Sequence, residues 1–215
     1  MNLKAVIFDL DGTIADTIPL TVFSLKEVTK ELTNAELSDE EILAKFGPID
    51  TEIIRTLVDN DNKEIAAEKY VQHFSTHFES FVKPMDGIKE LLKYLKSKNI
   101  KVGLFTGRSQ RVTHIILEKL DVKQYFDEIL AGDHTKKPKP DPEGILLTLD
   151  KLKVSSNESA YVGDFDVDVL ASKAAGTLLI LALWSSTGNR NNIKCDPDQY
   201  FDSPYGFIHW LERNE

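Results

Sequence analysis

The alternation of strand-like and helix-like runs constrains the fold of this chain more than any other feature of its sequence. Five short apolar runs have the composition of buried strands. They are residues 3–8, 100–105, 128–131, 159–162 and 177–183. Amphipathic helical patterns separate or follow the later runs, at residues 86–97, 109–120, 142–152 and 166–175. Strands that alternate with helices are typical of a parallel sheet with helices on both faces. The sequence therefore predicts an α/β fold, a doubly wound parallel sheet with a Rossmann-like core.

A long helical stretch interrupts this alternation after the first strand. It contains four helical patterns, at residues 17–32, 38–46, 49–59 and 63–81. Ser38 followed by Glu41 is a capping-box signal for the second helix, and Pro84 marks the return to the sheet. We expect residues 1–15 and 84–215 to form the Rossmann-like catalytic core and residues 16–83 to form a helical cap. The cap would sit at the carboxyl edge of the sheet, where ligands bind in open α/β folds.

The size, net charge and cysteine content of the chain limit its expected partners and its expected cellular compartment. The chain has 215 residues, enough for one large domain or for a domain with a smaller insert. Its net charge of −9 argues against nucleic acid or an anionic membrane as a partner. The one cysteine, Cys195, excludes an intrachain disulfide and suits a reducing compartment. The first apolar run is too short for a membrane span or a signal peptide. We therefore expect a cytoplasmic protein. We also expect it to be a monomer or a homodimer.

Polar groups of related chemistry follow four of the predicted strands. In chain order they are Asp9 and Asp11, Thr106 and Gly107, the lysines of residues 136–139, and Asp164 with Asp168. Parallel strands bring these ends to one rim of the sheet, although they lie far apart in the sequence. Carboxylate oxygens suit Mg²⁺, whereas a hydroxyl, free backbone N–H groups and a lysine suit phosphate oxygens. The sequence predicts a site for Mg²⁺ and a phosphate group at this rim.

These motifs resemble those of the haloacid dehalogenase superfamily, in the phosphoglycolate phosphatase and β-phosphoglucomutase-like branch with a helical cap after the first strand. Residues 9–13, Asp-Leu-Asp-Gly-Thr, are similar to the nucleophile motif of that family. Thr106 matches the second motif, Lys137 in Lys-Pro-Lys-Pro-Asp the third, and Asp164 with Asp168 the fourth. One departure is Phe165, which fills a slot often held by a small polar residue. The resemblance runs from the first strand to the fifth.

The resemblance implies a role for each acidic residue of the motifs. Asp9 would be the nucleophile and a metal ligand. Asp11 would exchange protons with the leaving oxygen and with water, and its backbone carbonyl would bind the metal. Asp164 would be a further metal ligand. Asp168 would orient a metal-bound water or Lys137.

The resemblance also implies residues that hold the phosphate group and residues that select the substrate. Thr106, Gly107 and Lys137 would bind the phosphate oxygens. The Lys-Pro-x-Pro-Asp spacing favours Lys137 over the neighbouring Lys136 and Lys139. The loop of the cap that would contact the leaving group is residues 45–49, with Lys45, Phe46 and Gly47 as the candidates.

The predicted function is that of a Mg²⁺-dependent phosphatase, a phosphoric monoester hydrolase, which acts on a small phosphomonoester through an aspartyl-phosphate. A sugar phosphomutase of the same superfamily is the alternative, and Thr13 favours the phosphatase. A receiver module of a signalling pathway also uses acids, a Thr and a Lys. It accepts phosphate at a later strand and lacks a long helical insert, so this order of motifs disfavours it. Phosphoglycolate, sugar phosphates, nucleotides and pyrophosphate all stay open as substrates.

Two histidines in the predicted cap are a second place to look for a metal site. His73 and His77 lie one helical turn apart. The sequence offers no evident third ligand nearby, and Tyr70, Phe74 and Phe78 share the helix with them. This pattern favours a packed amphipathic helix over a metal site.

Overall fold

A computed structural model describes residues 3–185, 188, 190 and 193–214 of the chain. Its described strands form one parallel sheet in the order β3-β2-β1-β4-β5-β6. The strands are β1 (Ala5–Phe8), β2 (Lys101–Phe105), β3 (Glu128–Leu130), β4 (Ser159–Gly163), β5 (Leu178–Ala182) and β6 (Gln199–Phe201). The first five match the predicted strands to within two residues at each end, and the predicted α/β class is confirmed.

Strand β1 lies at the centre of the sheet. Val6 is in register with Val102 of β2 on one side and with Ala160 of β4 on the other. All of β1 is buried, which explains why its sequence is a continuous apolar run and not an alternating one. The chain leaves β3 at one edge and returns at β4, across β1. The carboxyl ends of β1 and β4 therefore flank the point where the strand order reverses, the usual ligand site of such sheets.

Helices cover both faces of the sheet and form the long segment after β1. They are α1 (Ile18–Thr33), α2 (Asp39–Leu43), α3 (Asp50–Thr56), α4 (Lys63–Phe81), α5 (Ile88–Ser97), α6 (Gln110–Lys119), α7 (Glu143–Leu152), α8 (Asp166–Ala175) and α9 (Pro204–Arg213). We call α1–α4 the helical insert. None of the described helices has the length and apolar character needed to cross a membrane.

The start of α2 confirms the predicted capping box. The Ser38 hydroxyl accepts a hydrogen bond from the Glu41 backbone N–H at 3.2 Å, and the Glu41 carboxylate accepts one from the Ser38 backbone N–H at 2.8 Å. A cap of this kind contributes about 1 kcal/mol to a helix. It gives a short, mostly exposed helix a defined beginning near the carboxyl edge of the sheet.

The helical insert shares its apolar core with one face of the sheet. Val6 and Phe8 of β1 belong to the same cluster of buried side chains as Leu20, Ile54 and Phe74 of the insert. This burial holds the insert against the carboxyl edge of β1, although the division of the chain into two domains stays a prediction.

The histidines of α4 are packed against α1. The rings of His73 and His77 stack with centroids 4.1 Å apart, and Phe23 lies 5.1 Å from the ring of His73. His73 Nδ1 is 3.1 Å from the hydroxyl of Ser24. Burial lowers the pKa of His73, which favours its neutral form. These contacts agree with the expected packed amphipathic helix.

Two elements near the end of the chain were not predicted. Strand β6 pairs with β5 at the edge of the sheet, and α9 packs beside α5. The Ser203 hydroxyl caps α9 by accepting a hydrogen bond from the Gly206 backbone N–H at 3.1 Å. Pro204 occupies the first turn of this helix, where a proline is well tolerated.

Candidate active site

A buried lysine joins two carboxylates at the carboxyl ends of β1 and β4. Asp9 follows β1, and its backbone N–H donates to the carbonyl of Val162 at 2.8 Å. The ammonium of Lys139 lies 2.7 Å from Asp9 Oδ1 and 2.7 Å from Asp168 Oδ1. Burial alone would lower the pKa of Lys139, but the charges of Asp168 and Asp9 raise it well above its ordinary value. Lys139 is therefore charged and fixed beside Asp9.

This geometry corrects the prediction of Lys137 as the lysine of the site. The ammonium of Lys137 is 3.3 Å from Asp141 and its side chain is 68% exposed, whereas that of Lys139 is 10% exposed. The chain turns between Pro138 and Asp141, where the Asp141 backbone N–H donates to the Pro138 carbonyl at 3.0 Å. The two lysines accordingly face different surroundings. Asp168, which was expected to orient Lys137, contacts Lys139 instead.

Three carboxylates come together at this edge of the sheet. Oxygens of Asp9, Asp164 and Asp168 lie within 4.8 Å of one another. Asp168 is neutralised by Lys139, but Asp164 makes no hydrogen bond or ion pair with the described residues. Burial, followed by the charges of Asp168 and Asp9, raises the pKa of Asp164 to about 9. Burial likewise raises the pKa of Asp9 to about 7. With all three carboxylates ionised, the cluster would carry more negative charge than Lys139 balances, and a bound cation would stabilise that ionised form.

Gly12 makes room for Asp164. A Cβ atom added at Gly12 would lie 1.9 Å from Asp164 Oδ2, and the φ angle of +73° is one that side chains rarely adopt. The close approach of Asp164 to the loop after β1 therefore requires glycine at this position. The two acidic motifs meet because one of them lacks a side chain at the point of contact.

Asp168 accepts hydrogen bonds from two described donors besides Lys139. The hydroxyl of Tyr161 donates to Asp168 Oδ1 at 3.1 Å, and the backbone N–H of Phe165 donates to Asp168 Oδ2 at 3.1 Å. Asp168 is almost completely buried. The side chain of Phe165 itself is exposed, so its unusual presence in this motif leaves the carboxylates undisturbed.

Thr106 and Gly107 lie in the loop that follows β2, on the other side of β1. The Thr106 side chain is buried, and its hydroxyl accepts a hydrogen bond from the Arg108 backbone N–H at 3.2 Å. A Cβ atom at Gly107 would meet no atom within 4 Å, so the backbone here borders open space. Both residues line the same cavity as Asp9 and Lys139. The structure thus brings the expected phosphate-binding loop to the acidic cluster.

Arg108 is a site residue that the sequence reasoning missed. Its guanidinium is buried, and its Nε lies 2.8 and 2.9 Å from the two carboxylate oxygens of Asp11. It also contacts Asp50 of α3 at 3.2 Å and the Thr21 hydroxyl of α1 at 2.6 Å. Burial opposes its charge, but Asp11 and its other neighbours raise the pKa of Arg108 above its ordinary value. The carboxylate of Asp11 is therefore paired with Arg108, apart from the cluster of Asp9, Asp164 and Asp168.

A cavity of about 180 Å³ lies between these residues and the helical insert. The insert contributes Phe46, Gly47 and Pro48 to its wall, as well as residues of α1 and α3. Lys45 is exposed and does not line this cavity, although its neighbours in the predicted specificity loop do. The loop is thus placed over the site, with Phe46 and not Lys45 facing it.

Comparison with known proteins decides the family of the chain. Residues 6–182 match the family described as haloacid dehalogenase-like hydrolase. The chain belongs to this family. A phosphoglycolate phosphatase of Aquifex aeolicus is 32% identical over 216 residues, which cover 99% of this chain and 98% of that protein. A phosphorylated carbohydrates phosphatase of Thermotoga maritima is 34% identical over 182 residues, covering 81% and 82%. A pyrophosphatase PpaX of Oceanobacillus iheyensis is 29% identical over 191 residues, covering 86% of each chain.

Solved structures of other proteins share the fold of this haloacid dehalogenase-like hydrolase. CbbY of Rhodobacter sphaeroides, solved in complex with phosphate, has a TM-score of 0.82 at 22% identity and covers 94% of this chain and 95% of its own. A hydrolase of the same family from Entamoeba histolytica has a TM-score of 0.78 at 25% identity and covers 95% of both chains. The predicted family is confirmed, and so is the predicted enzyme class, a phosphoric monoester hydrolase.

A tryptophan that follows β5 forms a hydrogen bond with the first motif of this hydrolase. The indole N–H of Trp184, just after β5, donates to the backbone carbonyl of Thr13 at 2.8 Å. Thr13 is itself fully buried. This bond links the loop that carries Asp9 and Asp11 to the chain beyond β5.

Proposed function

We propose that this chain is a Mg²⁺-dependent phosphatase that hydrolyses a small phosphomonoester through an aspartyl-phosphate on Asp9. The observation that carries the proposal is the meeting of Asp9, Asp164 and the buried Lys139 at one edge of the sheet, where Asp164 has no hydrogen-bond or ion-pair partner among the described residues. The family membership and the phosphatases among the relatives support it.

The residues at the acidic cluster fit a Mg²⁺ ion. Asp164 is a mostly buried carboxylate that makes no hydrogen bond or ion pair with the described residues, and Asp9 lies beside it. Carboxylate and carbonyl oxygens are the donors that Mg²⁺ prefers. Asp9, Asp164 and the backbone carbonyl of Asp11 would hold the ion. Once bound, it would offset the repulsion between the anionic nucleophile and the anionic phosphoryl group.

Asp9 would act as the nucleophile. One of its carboxylate oxygens attacks phosphorus in line, and the bond between phosphorus and the leaving oxygen breaks. Asp11 would supply the proton that the leaving oxygen takes up. In the second half of the reaction, Asp11 would take a proton from the water that attacks phosphorus, while the bond between phosphorus and the Asp9 oxygen breaks and inorganic phosphate leaves. The cycle returns both carboxylates to their starting states.

The loops after β2 and β3 would hold the phosphoryl oxygens. Thr106, the backbone N–H groups around Gly107 and the ammonium of Lys139 face the cavity beside Asp9. Their positive and donor groups would stabilise charge that develops on these oxygens during transfer. Asp168 and Tyr161 orient Lys139, since both lie within 3.2 Å of its ammonium.

The helical insert would act as a cap domain, residues 16–83, that excludes water and selects the leaving group. Phe46, Gly47 and Pro48 of the insert line the cavity and would contact the leaving group. The relatives named above act on phosphoglycolate, pyrophosphate and phosphorylated carbohydrates, three different leaving-group chemistries. Their names therefore support the reaction more strongly than any one substrate.

A broad panel of phosphorylated metabolites, assayed for phosphate release with Mg²⁺, tests the proposal. The matched control is Asp9→Asn, which keeps the size of the side chain and removes the nucleophile. We expect this variant to lose at least about 10³-fold in kcat, since loss of a covalent route normally costs several powers of ten. In wild-type protein, beryllium fluoride with Mg²⁺ should bind at Asp9. Activity of Asp9→Asn above about one hundredth of wild type would contradict the assignment of the nucleophile.

A further inference from the structure

The helical insert presents a mostly apolar wall to the cavity beside the acidic cluster. The apolar side chains of this wall are Ile18, Phe46, Pro48 and Ile53. Its polar groups are the Thr21 hydroxyl and the Asp50 carboxylate. Among the described residues that the insert contributes to the cavity, there is no lysine, arginine or histidine. A leaving group in the cavity would therefore meet no positive charge on the insert side.

The two cations that line the cavity from the sheet side are already paired with carboxylates. Lys139 lies 2.7 Å from each of two aspartates, and under the proposed function it binds the transferred phosphoryl group. The guanidinium of Arg108 lies 2.8 Å from Asp11 and 3.2 Å from Asp50. Even when Asp11 is protonated, as the proposed acid must be, Asp50 still balances the charge of Arg108. The described lining thus offers no unpaired cation to the leaving group.

The N–H groups of Arg108 are directed at acceptors of the protein. Nε lies 2.8 and 2.9 Å from the two carboxylate oxygens of Asp11. Nη1 lies 3.2 Å from Asp50, and Nη2 lies 2.6 Å from the Thr21 hydroxyl. The side chain of Arg108 is 5% exposed. An anionic group of a substrate could bind this guanidinium only by displacing one of these partners.

Asp50 is the acidic residue of the insert that occupies Arg108. It is 4% exposed. One of its carboxylate oxygens accepts hydrogen bonds from the backbone N–H groups of Thr51 and Ser109, at 2.8 and 3.1 Å. The other lies 3.2 Å from Arg108 and 3.4 Å from the Tyr70 hydroxyl. Since a carboxylate has about four acceptor positions, Asp50 is already satisfied and is poorly placed to bind an ammonium group of a substrate.

The Thr21 hydroxyl is engaged in a similar way, because it donates to the Thr17 carbonyl at 3.0 Å and accepts from Arg108 at 2.6 Å. A charged group that leaves water for such a wall loses its hydration and gains no partner, which is unfavourable for either sign of charge. An uncharged alcohol loses less hydration, and its carbon atoms can pack against Phe46 and Ile53. The wall therefore favours a leaving group without charge.

We propose that this cavity selects phosphomonoesters of uncharged alcohols, such as polyols or sugars, and that Asp50 enforces the selection by keeping the charge of Arg108 from the leaving group. The inference rests on the proposed function and names the substrate class of the same site. It disfavours leaving groups that carry a carboxylate, a second phosphate or an ammonium group. Phosphoglycolate and pyrophosphate, which appear in the names of two relatives, belong to the disfavoured class.

Esters that differ only in the charge of the leaving group test this selection. Glycerol 1-phosphate and 3-phosphoglycerate share a carbon skeleton, with a hydroxymethyl group in one and a carboxylate in the other. A second series is 2-hydroxyethyl phosphate, phosphoglycolate and phosphoethanolamine, whose leaving groups are uncharged, anionic and cationic. With excess Mg²⁺, we expect kcat/KM of the wild-type chain to be at least about ten-fold higher for the uncharged member of each series.

Asp50→Asn should weaken the selection against anionic esters. The amide leaves Arg108 with one balancing carboxylate fewer, so a carboxylate of the leaving group can take its place. We expect the ratio of kcat/KM for 3-phosphoglycerate to that for glycerol 1-phosphate to rise at least about five-fold. Asp59→Asn, at an exposed position of the same insert, should keep the wild-type ratio. A purely structural role of Asp50 would lower kcat/KM for both esters alike.

Phe46→Lys tests the charge of the wall without disturbing the buried contacts of Arg108. Phe46 is only partly buried and lines the cavity, so the variant places a cation on the insert side. We expect the same ratio of kcat/KM to rise at least about five-fold. Phe46→Met is the uncharged control and should keep the ratio within about two-fold of wild type.

The outcomes separate this inference from the proposed function. If the wild-type chain hydrolyses the charged esters as well as the uncharged ones, the inference is wrong and the proposed phosphatase stands. If Asp50→Asn is folded in a thermal melt and keeps the wild-type ratio, Asp50 does not enforce the selection and the inference is again wrong. If it is unfolded, the ratio in Phe46→Lys decides alone. A wild-type chain that releases phosphate from none of the esters overturns the proposed function, and this inference with it.

Discussion

Two buried cations flank the carboxyl end of β1, and they differ in the parts of the molecule that supply their charged partners. Lys139 lies between Asp9 and Asp168, and Arg108 lies between Asp11 and Asp50. Among the described residues, the carboxylates paired with Lys139 come from the loop after β1 and from the first turn of α8, both outside the helical insert. Those of Arg108 come from the sheet on one side and from the helical insert on the other.

This comparison indicates which part of the reaction each region can support. The Lys139 cluster contains the proposed nucleophile and the proposed metal site, and none of its residues comes from the insert. The Arg108 cluster contains the proposed acid and is complete only with it. Burying a charge is costly unless it is paired, so removal of Lys139 or of Arg108 leaves uncompensated carboxylates in its cluster. The predictions below test the two regions separately, starting with the largest expected effect.

Removal of the metal should abolish the phosphatase activity that we assign to the acidic cluster at the carboxyl edge of the sheet. We expect excess chelator to reduce kcat by more than about 10³-fold and added Mg²⁺ to restore it, because the carboxylate cluster lacks a balancing cation. Zn²⁺ should substitute poorly in an all-oxygen site. Mg²⁺ should also raise the melting temperature of wild-type protein but not of Asp164→Asn. Full activity in chelator would show that the metal is not needed.

Replacement of the buried lysine should be the next most severe change. We expect Lys139→Met to reduce kcat/KM about 10²- to 10³-fold for every ester, because it removes a charge that stabilises phosphoryl transfer. Lys137→Met is the matched control, two residues away and exposed, and should stay within about two-fold of wild type. Steady-state kinetics of the two variants give the answer. The reverse order of effects would restore Lys137 as the lysine of the site.

A change in the insert wall should have the smallest and most selective effect. Phe46 lines the cavity and Lys45 does not. We expect Phe46→Ala to change relative kcat/KM among substrates by about ten-fold, in the range of a lost apolar contact in a pocket. Hydrolysis of p-nitrophenyl phosphate should change less, and Lys45→Ala should have little effect on either. Equal scaling of all substrates by Phe46→Ala would place the selector elsewhere.

Local signals made most of the fold predictable from the sequence. The first five strands are short apolar runs, and the helices of the insert show clear periodicity and a capping box. Strand β6 has only three residues in a polar stretch and forms by pairing with β5, which local composition does not report. Helix α9 did carry a signal, since Ser203 and Pro204 are typical of a helix start.

The site was less predictable where the sequence repeats a pattern or where partners are distant. The Lys-Pro-x-Pro-Asp spacing that selected Lys137 recurs from Lys139 onward with only its last residue changed, to Glu143, so the two lysines differ in this pattern by one acidic residue. Only the fold shows which ammonium is buried. Arg108 contacts Asp11 and Asp50, which lie 97 and 58 positions away in the chain. Local sequence motifs do not predict contacts at such separations. The proximity of the carboxylates after β1 and β4 was easier to predict, because the carboxyl ends of parallel strands meet at one edge of the sheet.

The bond between Trp184 and Thr13 also gives this protein a built-in optical reporter. The chain has two tryptophans, and the other, Trp210, packs on α9 against Phe201 and Phe207. Indole emission responds to the polarity around the ring and to its hydrogen bond. In a Trp210→Phe background, fluorescence would therefore come from a ring attached to the loop that carries Asp9. A stopped-flow trace of that emission would test for the formation and decay of the proposed phosphoenzyme without any added label.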